Sequence, residues 1–175
     1  MKKLLFTLVA TVMIPLFISC DKEENDDFVV VDFMPIEFLI HIVNEKGEDL
    51  LNPDTKGSIV DEDIRMIYNG KEYSLQEDTQ KNATRYYLPT FYGLRVSQIQ
   101  YEESPYHNKY FLYIGEFDGA VDCENCTVKV IWGDSSCDTF SYSNKMKRDK
   151  KGIHSIRHFY HNGKLQEDCV ITIVK

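Results

Sequence analysis

From Phe28 to Lys175 the apolar residues recur at every second position and hold no helical repeat. Such a pattern restricts the chain to extended strands, each with one face to bury. The stretch "PIEFLIHIV" sets Ile36, Phe38, Ile40 and Ile42 on one face, with Glu37 and His41 opposite. "TVKVIW" sets Val128, Val130 and Trp132 against Lys129 and Ile131. The final strand sets Cys169, Ile171 and Ile173 against Val170, Thr172 and Val174. "TRYYL", "GLRVSQIQY", "KYFLYIGEF" and "DTFSY" have strand length and composition. Asn69-Gly70 and Asn162-Gly163 mark two hairpins, because a two-residue type I′ loop needs positive φ at both positions. "GDSS" is a turn, and the basic, polar "SNKMKRDKKG" is expected to be a loop. About eight short strands, without an internal repeat or a proline-rich linker, predict an all-β fold. The expectation is a single β-sandwich, Ig-like in kind, over residues 28–175. With 43% hydrophobic residues, this length is enough for a core.

The N-terminus follows different rules. Lys2 and Lys3 precede the sixteen uncharged residues "LLFTLVATVMIPLFIS". A membrane span needs about 20 apolar residues, and Pro15 would disturb a spanning helix. Residues 1–19 are therefore expected to be a signal peptide. "FISC" resembles the lipobox of bacterial lipoproteins, with Ser19 at the small position and Phe17 departing from the usual Leu or Val. The resemblance implies that Cys20 is lipidated and becomes the new N-terminus, so that its acyl chains are the membrane partner. "DKEENDD" follows, with five acidic residues in seven, and residues 20–27 are expected to be a solvated tether. The run is similar to the export signal of surface lipoproteins from Bacteroides-type bacteria, which implies the outer face of the outer membrane. A plain spacer, with the protein facing the periplasm, is the alternative.

A wider likeness covers most of the mature chain. "GEDLLNP", "IRMIYNGKEY", "YIGEFDG", "VKVIWGDSSCDTFSY" and "FYHNGK" together resemble small surface lipoproteins of Bacteroides-type gut bacteria. That group has no established activity, so the likeness implies an extracellular β domain and transfers no catalytic residue. "WGDSS" is also similar to the "WGDG" turn of some Ig-like extracellular domains, with Ser135 where glycine is usual.

Charge and cysteine narrow the chemistry. The net charge is −8; cleavage before Cys20 leaves 18 basic against 28 acidic side chains, a net of −10. Such a surface repels phosphate, so no nucleic-acid partner is expected. With Cys20 lipidated, Cys123, Cys126, Cys137 and Cys169 form an even set in an exported chain, which favours disulfides in any of three pairings. One pairing joins Cys123 to Cys126 and Cys137 to Cys169. "CENC" as a redox pair would need a helix N-terminus, yet a strand follows. A zinc ribbon would need a second close pair.

Other candidates are weaker. On a strand His154 and His158 lie about 13 Å apart and His161 faces the other way, which argues against a shared metal. Acidic residues gather at Glu116, Asp118, Asp122 and Glu124, and again at Asp134 and Asp138, but neither stretch matches a calcium loop. No nucleophile elbow, phosphate loop or His-Glu-x-x-His motif occurs. The expectation is no catalytic residue, no metal and no cofactor. In "RYYLPTFYGL", Tyr86, Tyr87 and Tyr92 are candidates to stack on a sugar or anchor a protein, with core packing as the alternative. The composite expectation is a lipid-anchored, non-enzymatic module that binds a glycan or a protein. An extracellular hydrolase and a structural envelope protein without a soluble ligand are the alternatives.

Overall fold

The computed structural model describes residues 33–77, 91–149 and 152–175. The leader, Cys20, the acidic run and "TRYYL", with Tyr86 and Tyr87, lie outside them. Within them are ten strands and no helix: β1 Ile36–Val43, β2 Arg65–Tyr68, β3 Lys71–Glu77, β4 Gly93–Gln98 and β5 Tyr110–Phe117, then β6 Cys123–Ile131, β7 Cys137–Asp149, β8 Gly152–His161, β9 Lys164–Gln166 and β10 Val170–Val174.

The strands bond in the order β10-β1-β5-β4-β3-β2-β6-β7-β8-β9. Two neighbours run parallel, β10 with β1 and β3 with β4; the others are antiparallel. β3 makes the corner. Its residues Lys71 to Ser74 pair with β2, and Leu75 to Glu77 pair with β4. The ladder thus folds over itself at β3. At the other margin only residues 167–169 separate β9 from β10. The result is a mixed ten-stranded sheet in a nearly closed, barrel-like sandwich.

Its interior holds the residues that alternation assigned to it. Ile36, Phe38, Ile40 and Ile42 from β1 meet Leu112 and Ile114 from β5, and Ile171 and Ile173 from β10. Across from them lie Val128, Val130, Phe140 and Tyr142 from β6 and β7. The Phe38 ring sits 5.6 Å from Phe140 and 5.4 Å from Phe159, edge-on to the latter. Burying each such side chain stabilises the fold by about 1.5 to 3 kcal/mol. The two Asn-Gly loops take the left-handed backbone the hairpins require, with φ of 49° and 73° at Asn69-Gly70 and 48° and 76° at Asn162-Gly163.

One expectation needs correction. "SNKMKRDKKG" is not a loop, since its described residues through Asp149 continue β7, a strand of 13 residues. β6 pairs with β7 only as far as Asn144, whereas β7 and β8 stay paired out to Asp149 and Gly152. The far end of this hairpin is therefore a two-stranded ribbon beyond the β6 ladder. Polar residues can line both of its faces because neither has a core to cover. His41 does lie opposite the core face of β1, but it is buried, with 7% of its surface exposed. Its ring lies 5.3 Å from Phe111, on which Tyr106 packs edge-on. Asp49, 3.7 Å from the His41 Nε2, accepts the Tyr110 N–H and holds this cover in place.

Candidate functional site

The site forms where β6 ends and the β7–β8 ribbon departs. The ladder has Cys123 opposite Asn144 and Cys126 opposite Tyr142, so three steps along β6 match two along β7. The extra residue makes a bulge. A disulfide between Cys123 and Cys126, with their Cα atoms 6.1 Å apart, spans it and leaves Glu124 exposed. "CENC" therefore sits inside a strand, and its sulfurs pack against the core cluster.

Beside the bulge lies an open cavity of about 350 Å³ lined by Asp122, Cys123, Glu124, Ser143, Asn144, Lys145, Ile156 and His158. Strand periodicity builds it. Ser143 and Lys145 share a face of β7, and their partners across the ladder are His158 and Ile156. The Ser143 hydroxyl and His158 Nδ1 are 3.2 Å apart. Asp122 accepts the Met146 N–H at 2.7 Å, replacing the ladder bond that β6 no longer supplies.

A polar knot supports the floor. Asn144 is 1% exposed. Its amide donates to the carbonyls of Gly119 and Val121, at 3.0 and 2.7 Å, and its oxygen accepts from Arg157 Nε. Arg157 also donates to the carbonyls of Met34 and Pro35. The knot satisfies a buried amide and ties β7, β8, the 118–122 loop and the entry to β1 together.

Chemically the cavity combines carboxylates (Asp122, Glu124), a cation (Lys145), an imidazole and hydroxyl pair, and an apolar patch from Ile156, which is 40% exposed. Donors, acceptors and an apolar surface in one open site suit a hydroxyl-rich ligand. The Ser143–His158 contact alone does not make an activated nucleophile. No three His, Cys, Asp or Glu side chains among the described residues converge on a point that could hold a metal.

The residues singled out in the sequence divide sharply. Cys123 lines the cavity and Cys126 pins it. The Cys137–Cys169 link is not made: Cys137 is an exposed thiol at the start of β7, and Cys169 a half-buried one just before β10. Burial, with the Asp168 carboxylate beside it, pushes the Cys169 thiol up, which keeps it protonated and unreactive. Tyr92 is committed to the fold. Its hydroxyl donates to Glu37 Oε1 at 2.7 Å and its ring lies 4.1 Å beneath the Arg95 guanidinium. Burial and the adjacent carboxylate push its phenol far above the usual range. His154 and His158 share the outer face of β8, whereas His161 turns inward, stacks on Phe140 and bonds Asp138 at 2.7 Å.

Sequence reasoning misses Ser143, Lys145 and Ile156 as site residues. A polar run read as a loop hides its faces. The alternation of Phe140, Tyr142, Asn144 and Met146 with Ser141, Ser143, Lys145 and Lys147 is the signal that could have found them. Comparison with protein-family models, with curated proteins and with solved structures finds no match for the chain.

Proposed function

We propose that this chain is a lipid-anchored protein of the outer membrane's external face whose Ig-like sandwich is a non-enzymatic binding module for a glycan or a protein. The observation that carries the binding role is the open cavity at the disulfide-pinned bulge, with its mix of carboxylate, ammonium, imidazole, hydroxyl and apolar groups. A ligand that presents hydroxyls on one edge and C–H groups on the other meets partners for each there. Support for the anchor comes from the leader, two lysines and then an uncharged run that ends in "FISC", and from the acidic residues behind Cys20. The non-enzymatic reading keeps to the sequence, in which no nucleophile elbow, phosphate loop or His-Glu-x-x-His motif occurs.

Two experiments test it. The full chain, presented to immobilised plant and host glycans, retains at least one class, and Glu124→Gln or His158→Ala weakens that retention. Turnover of a retained glycan would replace this reading with the hydrolase. Retention of none would move the weight to a protein ligand or an envelope role. In cells, Cys20→Ala moves the protein from the membrane fraction to the soluble one; if it stays with the membrane, the anchor claim fails.

A further inference from the structure

His41 sits on the covered face of β1, buried, and its Nε2 has no hydrogen-bond partner. The Asp49 Oδ2 stands 3.7 Å from that nitrogen, an ion-pair distance that is too long for a hydrogen bond. A buried polar atom left unbonded is rare in a folded protein, and this one lies where separate pieces of chain meet. Asp49 belongs to the chain after β1. Its Oδ1 accepts the Leu51 N–H and its Oδ2 the Tyr110 N–H, both at 2.9 Å. Residues 99–109 form an excursion between β4 and β5, closed on itself by backbone bonds between Ile99 and Lys109 and between Asn108 and Ile99. Tyr106 from the excursion packs edge-on to Phe111, and the Phe111 ring lies against His41. The carboxylate beside the imidazole therefore also ties the root of the excursion to the chain after β1.

The surroundings of the ring oppose its protonation in this arrangement. Burial is the largest influence and favours the neutral form. Asp49 favours the cation, and Lys109 on the excursion opposes it. The other titratable groups on these elements are the phenols of Tyr106, Tyr110 and Tyr113 and the imidazole of His107, whose Nδ1 is also buried and unbonded. Glu45, Lys46 and Glu48, in the turn before Asp49, are exposed. β10 places the uncharged Thr172 across the ladder from His41. The balance leaves the His41 pKa below its ordinary 6.5. In an open arrangement water reaches the ring and restores the ordinary value. The open form thus takes up its proton first as pH falls. Acid favours opening from about pH 6.5 down to the lowered value and no further, and above that window the closed form keeps its full stability.

We propose that His41 is a proton-operated latch beneath the 99–109 excursion. When it takes up a proton, the Asp49–Tyr110 tie gives way, the excursion lifts and the Phe111 ring is exposed. The latch does not depend on the cavity at the β6 bulge or on what that cavity binds.

Hydrogen exchange of the full chain tests it, read by mass spectrometry from pH 8 to pH 5 and corrected for the chemical exchange rate at each pH. Protection of peptides covering residues 44–51 and 99–111 should fall below about pH 6.5, by at most about tenfold per pH unit, the limit for one proton. Peptides from β6 and β7 should keep theirs. His41→Gln and His41→Phe should each abolish the pH dependence. Lys109→Gln removes the opposing ammonium at an exposed position, so the fall should become smaller and level off at higher pH. This variant decides the matter even where replacing the buried ring unfolds the chain, which a melting temperature reports. His107→Gln should leave the fall in place. Parent protection that ignores pH, a fall that survives the folded His41 variants, one unchanged by Lys109→Gln, or one that His107→Gln removes would each overturn the latch. An equal fall across β6 and β7 would overturn it too, because acid would then be loosening the whole fold.

Discussion

Asp138 shows how much one side chain can organise. Its carboxylate accepts from Trp132 Nε1 at 2.6 Å, His161 Nε2 at 2.7 Å and Asn162 Nδ2 at 2.7 Å. Burial pushes its pKa up, but the bonds from His161, Trp132 and Asn162 outweigh that and hold it below the ordinary 3.8. The folded form therefore takes up this proton at lower pH than the unfolded chain does. Its stabilisation is complete above about pH 4 and is lost as pH falls through the folded value. Asp138→Asn should lower stability at neutral pH by about 1 to 3 kcal/mol, because its amide group faces three donors. It should also flatten the loss of stability below pH 4. Urea unfolding from pH 7 down to pH 3 reads both; an acid limb as steep as that of the parent would refute the assignment. Next door, Ser135 holds a left-handed φ of 65° in the turn between β6 and β7. The turn keeps its geometry without the usual glycine, at the steric expense of a Cβ. Ser135→Gly should raise stability by up to about 1 kcal/mol, since the relief of about 1 to 2 kcal/mol exceeds most of glycine's extra chain entropy. A lower urea midpoint would show that the Ser135 side chain contributes more than its backbone costs.

At the scale of elements, the bulge in β6 and the ribbon of β7–β8 set the site. The Cys123–Cys126 bridge closes a loop of only a few residues, so it constrains the unfolded chain little. The loop-entropy relation gives about 2 kcal/mol for it. Replacing both cysteines by serine should lower the unfolding free energy by about that much, with the m-value unchanged. Its larger effect should be on the cavity, because Glu124 is presented by the bulge that the bridge spans. A double variant that kept full glycan retention would separate the bridge from the site. Much of this level is legible in the sequence. The Asn-Gly loops, the inward face of β1 and the split of His154 and His158 from His161 all follow from period two and turn chemistry. The ribbon is not legible, because a strand with no core to cover loses its hydrophobic alternation and looks like a loop. Nor is the cover over His41, because the chain that folds onto that face is brought there by Asp49 and Tyr106, far apart in sequence. The parallel pairings escape for a related reason: turn residues mark where a strand ends and say nothing about which strand it will join.

The described ten-stranded sheet is completed at one margin by β10. β10 runs parallel to β1 and places Ile171 and Ile173 in the core. The N–H of Leu39 bonds the Cys169 carbonyl at 2.9 Å, and that of Lys175 bonds the Val43 carbonyl at 2.9 Å. The Lys175 ammonium then reaches across the sandwich, 4.7 Å from the Trp132 ring centroid and 2.8 Å from the Ser136 hydroxyl. β10 thereby joins the first strand of one sheet face to the β6–β7 turn of the other. Because these pairings span nearly the entire described chain, they are among the costliest in loop entropy. Deleting residues 170–175 removes the two isoleucines, worth about 3 to 6 kcal/mol together, and leaves the β1 backbone unpaired on that side. Against a total stability of about 5 to 15 kcal/mol, that deletion removes most or all of the margin. The truncated chain should lose its cooperative urea transition and its near-UV aromatic signal, while Lys175→Ala alone should shift the midpoint only slightly. A truncated chain that still unfolded cooperatively, within about 2 kcal/mol of the parent, would mean that β1 can close the sandwich without its parallel partner. In that case the C-terminus would be an accessory, and the corner at β3 would be the feature that holds the two faces together.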